Sequence, residues 1–181
     1  MTGITQLGFA LLGLINQQPM SGYDLRKVFT TTALGSYSDS PGAIYPALKR
    51  LAGRGLVRGS VEKTGALRTR RVFTITPAGL TAFKAWLKRP VTRQDIVRNV
   101  DDLLLRFAFM DQALGARHSL RFLEQFAEQV VNYIPELREF VAAHRAEMSV
   151  SGRLALECGI EGYRQRLEWA RSSIAIYQRR K

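Results

Sequence analysis

The stretch PGAIYPALKRLAGRGLV, residues 41–57, decides the fold, because it predicts a helix that runs directly into a strand. Apolar side chains recur in it at intervals of four and three, the spacing of one buried helical face: Ile44, Leu48 and Leu51. Gly55 ends that helix, and the apolar residues after it begin an extended segment. The first turns nevertheless contain residues that are unfavourable inside a helix: Pro41, Gly42 and Pro46. Because the first turns contain a residue without a side chain and two without a backbone N–H, the backbone of this helix is expected to lie close to another surface.

Two helices precede this stretch, and a hairpin and a further helix follow it. The first helix is apolar around most of its circumference, and Ser21 is the N-cap of a second helix that continues to about Thr31. Two runs rich in β-branched and aromatic residues then flank the loop TGALRT at residues 64–69, which predicts a hairpin. Thr76 and Pro77 supply an N-cap and a first-turn proline for the next helix.

The chain of 181 residues has a net charge of +12, which is distributed unevenly. Residues 1–90 hold 13 Lys and Arg residues against three acidic ones, whereas residues 91–181 hold 14 against 12. The first half therefore has the charge of a surface that binds a polyanion, and the second half resembles an ordinary protein surface. We expect a domain boundary at RPVT, residues 89–92, between a first domain of residues 1–90 and a second of residues 91–181.

Three helices followed by a two-stranded hairpin are the layout of a winged helix-turn-helix. In this layout the helix at residues 40–54 enters the major groove of DNA, and the free N–H groups of its first turns suit phosphate. The residues expected at its tip and on its exposed face are Ser40, Gly42, Tyr45, Pro46, Lys49 and Arg50. The hairpin, or wing, adds four cations: Lys63, Arg68, Arg70 and Arg71. Because Lys49 and Arg50 are adjacent and point about 100° apart, we expect one of them to reach a base, and we favour Lys49.

The second half predicts helices throughout, so the fold class is mostly α with a small two-stranded β wing. Its first helix has an apolar face formed by Val97, Val100, Leu104 and Phe107. Two longer seams of apolar residues follow, and such seams pack on each other or on a second chain. We favour a helical dimerisation domain that uses Leu120, Leu123, Val130, Ile134, Leu137, Leu156, Ile160, Tyr163, Leu167 and Ile174. Pro135 lies within the first seam and predicts a kink or a split there.

The aromatic residues of the second half allow two interpretations. They either fill the core or line an effector pocket for a small aromatic or hydrophobic molecule: Phe107, Phe122, Phe126 and Trp169. The only cysteine, Cys158, is expected to be a small buried residue. The two histidines lie far apart with no cysteine nearby, so we expect neither a metal nor a cofactor. The chain has no nucleophile elbow, phosphate-binding loop or metal-ligand motif, so we expect no enzyme.

Three segments of the first half resemble, in order and spacing, the signature segments of PadR-type transcriptional regulators: PMSGYDL at residues 19–25, GAIYPALKRLAGRGLV at 42–57 and RRVFTITPAG at 70–79. The resemblance covers residues 4–88, and the remainder has the length and seam pattern of that family's longer C-terminal class. It implies that the C-terminal helices dimerise the protein and that each chain contributes one winged helix. It also implies a DNA surface that includes Gly22, Tyr23, Tyr45, Pro46 and Lys49. The second wing strand departs from the family, because it has Val72 and Phe73 where an aromatic pair is common.

Together these features predict a cytoplasmic, homodimeric repressor that binds double-stranded DNA at an inverted repeat and is released by a small ligand. In this hypothesis the ligand changes the angle between the C-terminal helices. This change alters the spacing of the two helices, one from each chain, that enter the major groove. Two alternatives stay open, namely a winged helix that assembles with an acidic protein and a basic peripheral membrane binder. The membrane alternative is disfavoured because the charge excess lies in the half with the hairpin. No secretory signal is expected either, because no Lys or Arg precedes the apolar run at residues 7–15.

Overall fold

The computed structural model describes residues 3–32, 34–35, 41–64 and 68–179, with four of them described by their backbone alone: Pro41, Lys63, Thr64 and Arg68. The chain divides into two compact units, Met1–Lys88 and Arg89–Lys181. The first unit is a winged helix-turn-helix and the second is built of helices, so the protein is mostly α-helical with one small antiparallel sheet. None of the helices in the described part of the chain combines the length and the apolar character that a membrane span requires.

The first unit follows the order of elements that the sequence predicts. Its elements are α1 (Gln6–Gln17), β1 (Met20–Ser21), α2 (Gly22–Thr31), a 3₁₀ turn (Pro41–Ala43), α3 (Ile44–Gly53), β2 (Val57–Thr64), β3 (Arg68–Ile75) and α4 (Pro77–Leu87). The Ser21 hydroxyl accepts a hydrogen bond from the Asp24 backbone N–H, and the Asp24 carboxylate accepts one from Ser21, which completes a capping box. Thr76 caps α4, whose first residue is Pro77. The predicted helix caps are therefore confirmed.

The stretch that decides the fold begins differently from the single helix that the sequence predicts. The 3₁₀ turn Pro41–Ala43 precedes α3, and no side chain caps the helix at Ala43. Pro46 is the third residue of α3, where a backbone N–H has no partner within the helix, so the proline removes no intrahelical bond. Gly55 follows the helix with a φ of +67°, a conformation that favours glycine. The predicted buried face is confirmed for Ile44, Leu48 and Leu51.

The sheet of the described residues has three strands, in the order β1-β3-β2, where the sequence predicts two. Strands β2 and β3 form the wing and pair antiparallel along their whole length. Met20 and Ser21 add the third strand by pairing with Phe73 and Val72 of β3. The sequence could not indicate β1, because two residues show no alternation of apolar and polar side chains. This short strand joins the beginning of α2 directly to the wing.

The core of the first unit is organised around α1. Ala10, Leu11 and Leu12 have no exposed surface. The Phe9 ring stacks on Trp86 of α4, with ring centroids 4.4 Å apart and 5° between the planes. Because α1 also contacts α3 and β3, it holds α3 beside the wing and so positions the surface described below.

The second unit consists of α5 (Arg93–Leu114), α6 (Ala116–His144) and α7 (Val150–Arg179). Helix α6 packs against both of the others. It continues through Pro135, so the split predicted there is wrong. The proline removes only the N–H that would pair with the carbonyl of Val131. Val131 is exposed, so water can satisfy that carbonyl at little cost.

Helix α5 is interrupted at Asn99, whose φ of −141° and ψ of 36° are not helical. Close to this break, the Tyr163 hydroxyl of α7 donates a hydrogen bond of 3.1 Å to the carbonyl of Ile96. The buried residues of α5 are Ile96, Leu103, Leu105, Arg106, Phe109 and Met110. The helix that Val97, Val100, Leu104 and Phe107 mark in the sequence is therefore confirmed, although these four residues are half-buried or exposed. The sequence pattern assumes an unbroken helix, and the break changes the helical phase between its two parts.

Candidate nucleic-acid interface

A cleft of about 480 Å³ lies between α3, the beginning of α2 and strand β3. Residues from three separate segments of the sequence line it: Ser21, Gly22, Tyr23, Tyr45, Leu48, Lys49, Ala52, Arg70, Arg71 and Phe73. Among the described residues, the lining contains one lysine and two arginines but no carboxylate. The fold thus brings together six residues that the sequence assigns to DNA contact: Gly22, Tyr23, Tyr45, Lys49, Arg70 and Arg71.

Tyr45 of α3 rests on Gly22 at the beginning of α2. A Cβ on Gly22 would lie 2.6 Å from Cε1 of Tyr45, which is closer than side-chain carbons approach each other. Gly22 is buried, whereas Tyr45 and Tyr23 are 52% and 68% exposed. Large aromatic side chains with this exposure at a basic cleft can donate hydroxyl hydrogen bonds to phosphate oxygens.

Lys49 and Arg50 lie in different surroundings on α3. Lys49 follows Tyr45 by one turn and lines the cleft. Arg50 lies with Arg54 along a second groove of about 460 Å³, whose lining includes Ile4, which precedes α1, and Ala47 and Leu51 of α3. Near the beginning of α3, Gly42 and Pro46 are exposed, as a close approach of the backbone requires. Which of the two cations reaches a base stays a prediction.

Arg70 of the wing is ion-paired with two carboxylates that sequence reasoning missed. Its guanidinium lies 3.7 Å from Oδ2 of Asp24 and 3.6 Å from Oε2 of Glu62. Glu62 stands directly opposite Arg70 in the β2–β3 register, so the strand pairing could have indicated this contact. The contact with Asp24 could not be foreseen, because it depends on how α2 packs beside the sheet.

Arg71 is exposed and lies over the sheet. Its guanidinium carbon is 5.5 Å from the centroid of the Phe73 ring. The remaining predicted DNA contacts are not settled by the structure. Ser40 lies outside the described residues, as do the side chains of Lys63 and Arg68, whose backbones belong to the paired strands of the wing.

The residues that the sequence assigns to dimerisation lie on α6 and α7. Half of them are buried within the single chain: Leu123, Val130, Ile134, Ile160 and Leu167. Side chains covered by their own chain leave little surface for a partner, and the dimerisation role of these five stays a prediction. The others are half-buried: Leu120, Leu137, Leu156, Tyr163 and Ile174. Several large apolar residues of the same helices are instead exposed: Val131, Phe140, Val150, Leu154 and Ile176.

The residues of the predicted effector pocket form one aromatic cluster. The Trp169 ring meets Phe107 and Phe126 edge-on, at centroid distances of 5.4 and 5.8 Å. Phe107 and Phe122 stack at 5.8 Å. Phe122 and Phe126 are buried, whereas Phe107 and Trp169 are half-buried. These contacts establish a packed cluster, and the pocket itself stays a prediction.

Sequence reasoning missed Arg106, which is buried beside this cluster. Its guanidinium carbon lies 5.2 Å from the Phe122 ring centroid, and the group donates a hydrogen bond to the carbonyl of Arg89. Burial lowers the pKa of Arg106 below the ordinary arginine value. The sequence offered no signal, because a single arginine in a helix is normally a surface residue. The prediction that Cys158 is buried is wrong, since its side chain is exposed on α7.

Comparisons with known proteins agree with the sequence signatures. Residues 11–85 match the model of the Transcriptional regulator PadR-like family. The Negative transcriptional regulator PadR of Bacillus subtilis (strain 168) is 24% identical over 178 residues, which cover 94% of this chain and 96% of that protein.

Solved structures of similar proteins span both halves of the chain. The crystal structure of Bacillus subtilis PadR in complex with operator DNA is 23% identical, with a TM-score of 0.46 and coverage of 97% of this chain and 99% of that one. The structure of the same regulator in complex with p-coumaric acid is 23% identical, with a TM-score of 0.42 and coverage of 96% and 99%. A PadR-like transcriptional regulator from Bacillus cereus is 24% identical, with a TM-score of 0.42 and coverage of 97% and 99%.

Proposed function

Because this chain belongs to the PadR-like family of transcriptional regulators, we propose that it represses transcription by binding double-stranded operator DNA through the cleft of its first unit. The family consists of regulators and not of enzymes. A cytoplasmic location belongs to the same proposal, because operator DNA would be accessible to the protein there.

The single observation that carries this proposal is the composition of the cleft. Tyr23, Tyr45 and Lys49 converge there with two wing arginines. The lining combines tyrosine hydroxyls with cations, which are the groups that bind phosphate oxygens and base edges. The surrounding half of the chain carries nearly all of the net positive charge. In a winged helix-turn-helix, the recognition helix, here α3, and the adjacent basic wing contact neighbouring parts of one duplex.

The direct test is binding of the full chain to duplexes selected from a random pool. Selected sequences are expected to contain an inverted repeat whose half-sites are about 10 base pairs apart or a multiple of that. With several phosphate contacts per dimer, affinity should fall about a thousandfold between 50 and 200 mM salt. A flat salt response, or no enrichment of any sequence, would contradict the proposal.

We propose that the protein acts as a homodimer formed by exposed apolar residues of α6 and α7. Phe140 is 49% exposed and Leu154 is 52% exposed, so both helices offer apolar surface, and apolar patches on a protein surface mark interaction sites. The mass in solution, measured by light scattering, should be twice that of the chain. Leu154→Glu is expected to reduce it to one chain, whereas Glu168→Gln, at another exposed position on α7, should not.

A small aromatic effector is proposed to release the DNA, as suggested by the relative whose structure contains p-coumaric acid. The aromatic cluster with Arg106 is the candidate site, because aromatic rings beside a guanidinium suit an aromatic carboxylate. p-Coumaric acid should quench Trp169 fluorescence and lower the affinity for the selected duplex. If it changes neither, the effector is of another class or binds elsewhere.

A further inference from the structure

Arg70 and Arg71, which are neighbours on strand β3, differ in the charged groups that lie beside them. Arg70 contacts the carboxylates of Asp24 and Glu62, at 3.7 and 3.6 Å. Two carboxylates outnumber one guanidinium, so this group of three presents a net negative charge to an approaching phosphate. A phosphate would have to replace carboxylates that already hold Arg70, which makes Arg70 a poor binder of DNA. The contact instead joins α2 to both strands of the wing.

Arg71 lies with its guanidinium over the ring of Phe73 and close to Gly59 of the neighbouring strand. It lies on the same face of β3 as Phe73, because alternate residues of a strand share a face, and its guanidinium carbon is 5.5 Å from that ring centroid. In the part of the chain that the structure describes, no carboxylate lies within ion-pair distance of Arg71. Its charge is therefore uncompensated, and it faces the cleft that holds Tyr45 and Lys49.

Gly59 of strand β2 has no side chain, so the guanidinium of Arg71 can lie across it. It stands opposite Phe73 in the strand register. A Cβ at residue 59 would lie 2.4 Å from Nε of Arg71 and 3.2 Å from its Cζ. Any other residue would therefore displace the guanidinium from its place across the sheet. Glycine weakens the interior of a strand and commonly marks a close approach by another group, which agrees with this reading.

We propose that, of the neighbouring arginines Arg70 and Arg71, Arg71 is the one that contacts DNA, that Gly59 is its positioning residue, and that Arg70 serves to tie the wing to α2. The inference rests on the proposed function, because it divides roles within the same DNA-binding surface. An arginine that already lies on a ring and a strand loses less side-chain freedom on binding than one that moves freely in water. The proposal thus predicts that these two adjacent cations contribute unequally to DNA binding.

The experiment compares full-length Arg71→Ala, Arg70→Ala and Gly59→Ala with the wild type on two probes. One probe is a duplex selected by the wild type from a random pool, and the other is an unselected duplex of the same length. Arg71→Ala should weaken binding about tenfold or more and lower the salt slope by about one per protomer. Arg70→Ala should weaken binding less than about threefold, because it contributes no direct contact. Equal losses on both probes would identify a phosphate contact, and a larger loss on the selected duplex a base-edge contact, both of which support the proposal.

Gly59→Ala tests the positioning role. It should weaken binding in the wild-type background but cause no further loss when Arg71 is already alanine, since its effect passes through Arg71. A merely structural role would give the same additional loss in both backgrounds and would overturn the assignment of Gly59. Ser60→Ala, an exposed change on the same strand, is the matched control and should bind as the wild type does. Melting curves establish that each variant is folded, and if Gly59→Ala is not, Gly59→Ser in both backgrounds takes its place.

The outcomes separate this inference from the proposed function. Equal losses for Arg70→Ala and Arg71→Ala, or a larger loss for Arg70→Ala, with normal wild-type binding would overturn the inference alone. A wild type that binds neither duplex would overturn the proposed function together with the inference.

Discussion

The ring of Tyr45 lies directly on the backbone of Gly22, so that a methyl group at residue 22 would stand 2.6 Å from Cε1 of the ring. This contact joins the reading helix α3 to the beginning of α2. It also explains why a residue without a side chain precedes the exposed Tyr23. The position of Tyr45 in the cleft therefore depends on the absence of a side chain at Gly22.

Gly22→Ala should displace the Tyr45 ring while leaving the fold intact. Moving a side chain off its rotamer costs roughly 0.5–1.5 kcal/mol, so affinity for a selected duplex should fall between about twofold and tenfold. Fluorescence anisotropy measures the affinity, and thermal unfolding checks the fold. Gly159→Ala in α7 is the control, because a Cβ there meets no atom within 4 Å. Unchanged affinity in Gly22→Ala would show that the ring position is unimportant for binding.

Lys49→Ala and Arg50→Ala should have different effects on DNA binding. Lys49 lines the cleft beside Tyr45, and losing a base contact there should reduce discrimination between selected and unselected duplexes by about 1–3 kcal/mol. Arg50 lies in the other groove with Arg54, and its loss should weaken both duplexes equally. Competition binding with the two duplexes measures the difference. The reverse pattern would assign base reading to Arg50.

The Arg93–Glu136 ion pair should contribute to stability at neutral pH and lose its contribution in acid. Arg93 donates hydrogen bonds to the Glu136 carboxylate, at 3.1 Å from Nε to each oxygen, and these bonds hold the pKa of Glu136 below its ordinary value. A lowered folded-state pKa means that the stabilisation is present above the unfolded-state pKa and disappears as the pH falls through the folded-state value.

Urea unfolding of the wild type and Glu136→Gln at several pH values tests this expectation. The wild type should be the more stable protein at neutral pH, and the two curves should converge in acid. High salt should also reduce the difference, because the pair is exposed to solvent. Glu139→Gln, at an exposed position on the same helix, should show no comparable convergence.

Tyr163→Phe should destabilise the second unit by about 1 kcal/mol, the usual value of one hydrogen bond. The lost bond is the one from the Tyr163 hydroxyl to the carbonyl of Ile96, close to the break at Asn99. Burial raises the pKa of Tyr163 above its ordinary value. The stabilisation should therefore be complete below the unfolded-state pKa of tyrosine and disappear as the pH rises through the folded-state value. Unfolding of both proteins at neutral and alkaline pH checks this, and Tyr177→Phe serves as the control.

Features that depend only on residues close together in the sequence, such as helix caps and a buried helical face, were predicted correctly. Ser21 and Thr76 were recognisable as caps because a cap acts within one turn of its own helix. The buried face through Ile44, Leu48 and Leu51 was recognisable for the same reason. The helix α5 was predicted, but the break at Asn99 was not. Strand β1 was missed because it is too short to show a period.

Most side-chain contacts between separate elements could not be predicted in this way, although the hairpin register could have indicated the contact of Arg70 with Glu62. The sequence assigned Arg70 and Arg71 the same role, but Asp24 and Glu62 surround the first and not the second. It assigned Leu123 and Val130 to a partner chain, whereas their own chain covers them completely. An apolar seam must be buried against another surface, but the sequence does not indicate whether that surface belongs to the same chain or to a partner.

The sequence by itself determined the order of the elements, the charge difference between the two halves and the residue types of the reading helix, because each of these follows from composition or from short-range periodicity. Only the tertiary structure decided that Tyr45 rests on Gly22, that Asp24 and Glu62 lie beside Arg70, and that half of the residues assigned to dimerisation are buried within one chain. The physical reason is that the energy of a charge or an apolar side chain depends on what surrounds it in space, and the surroundings come from segments that are distant along the chain.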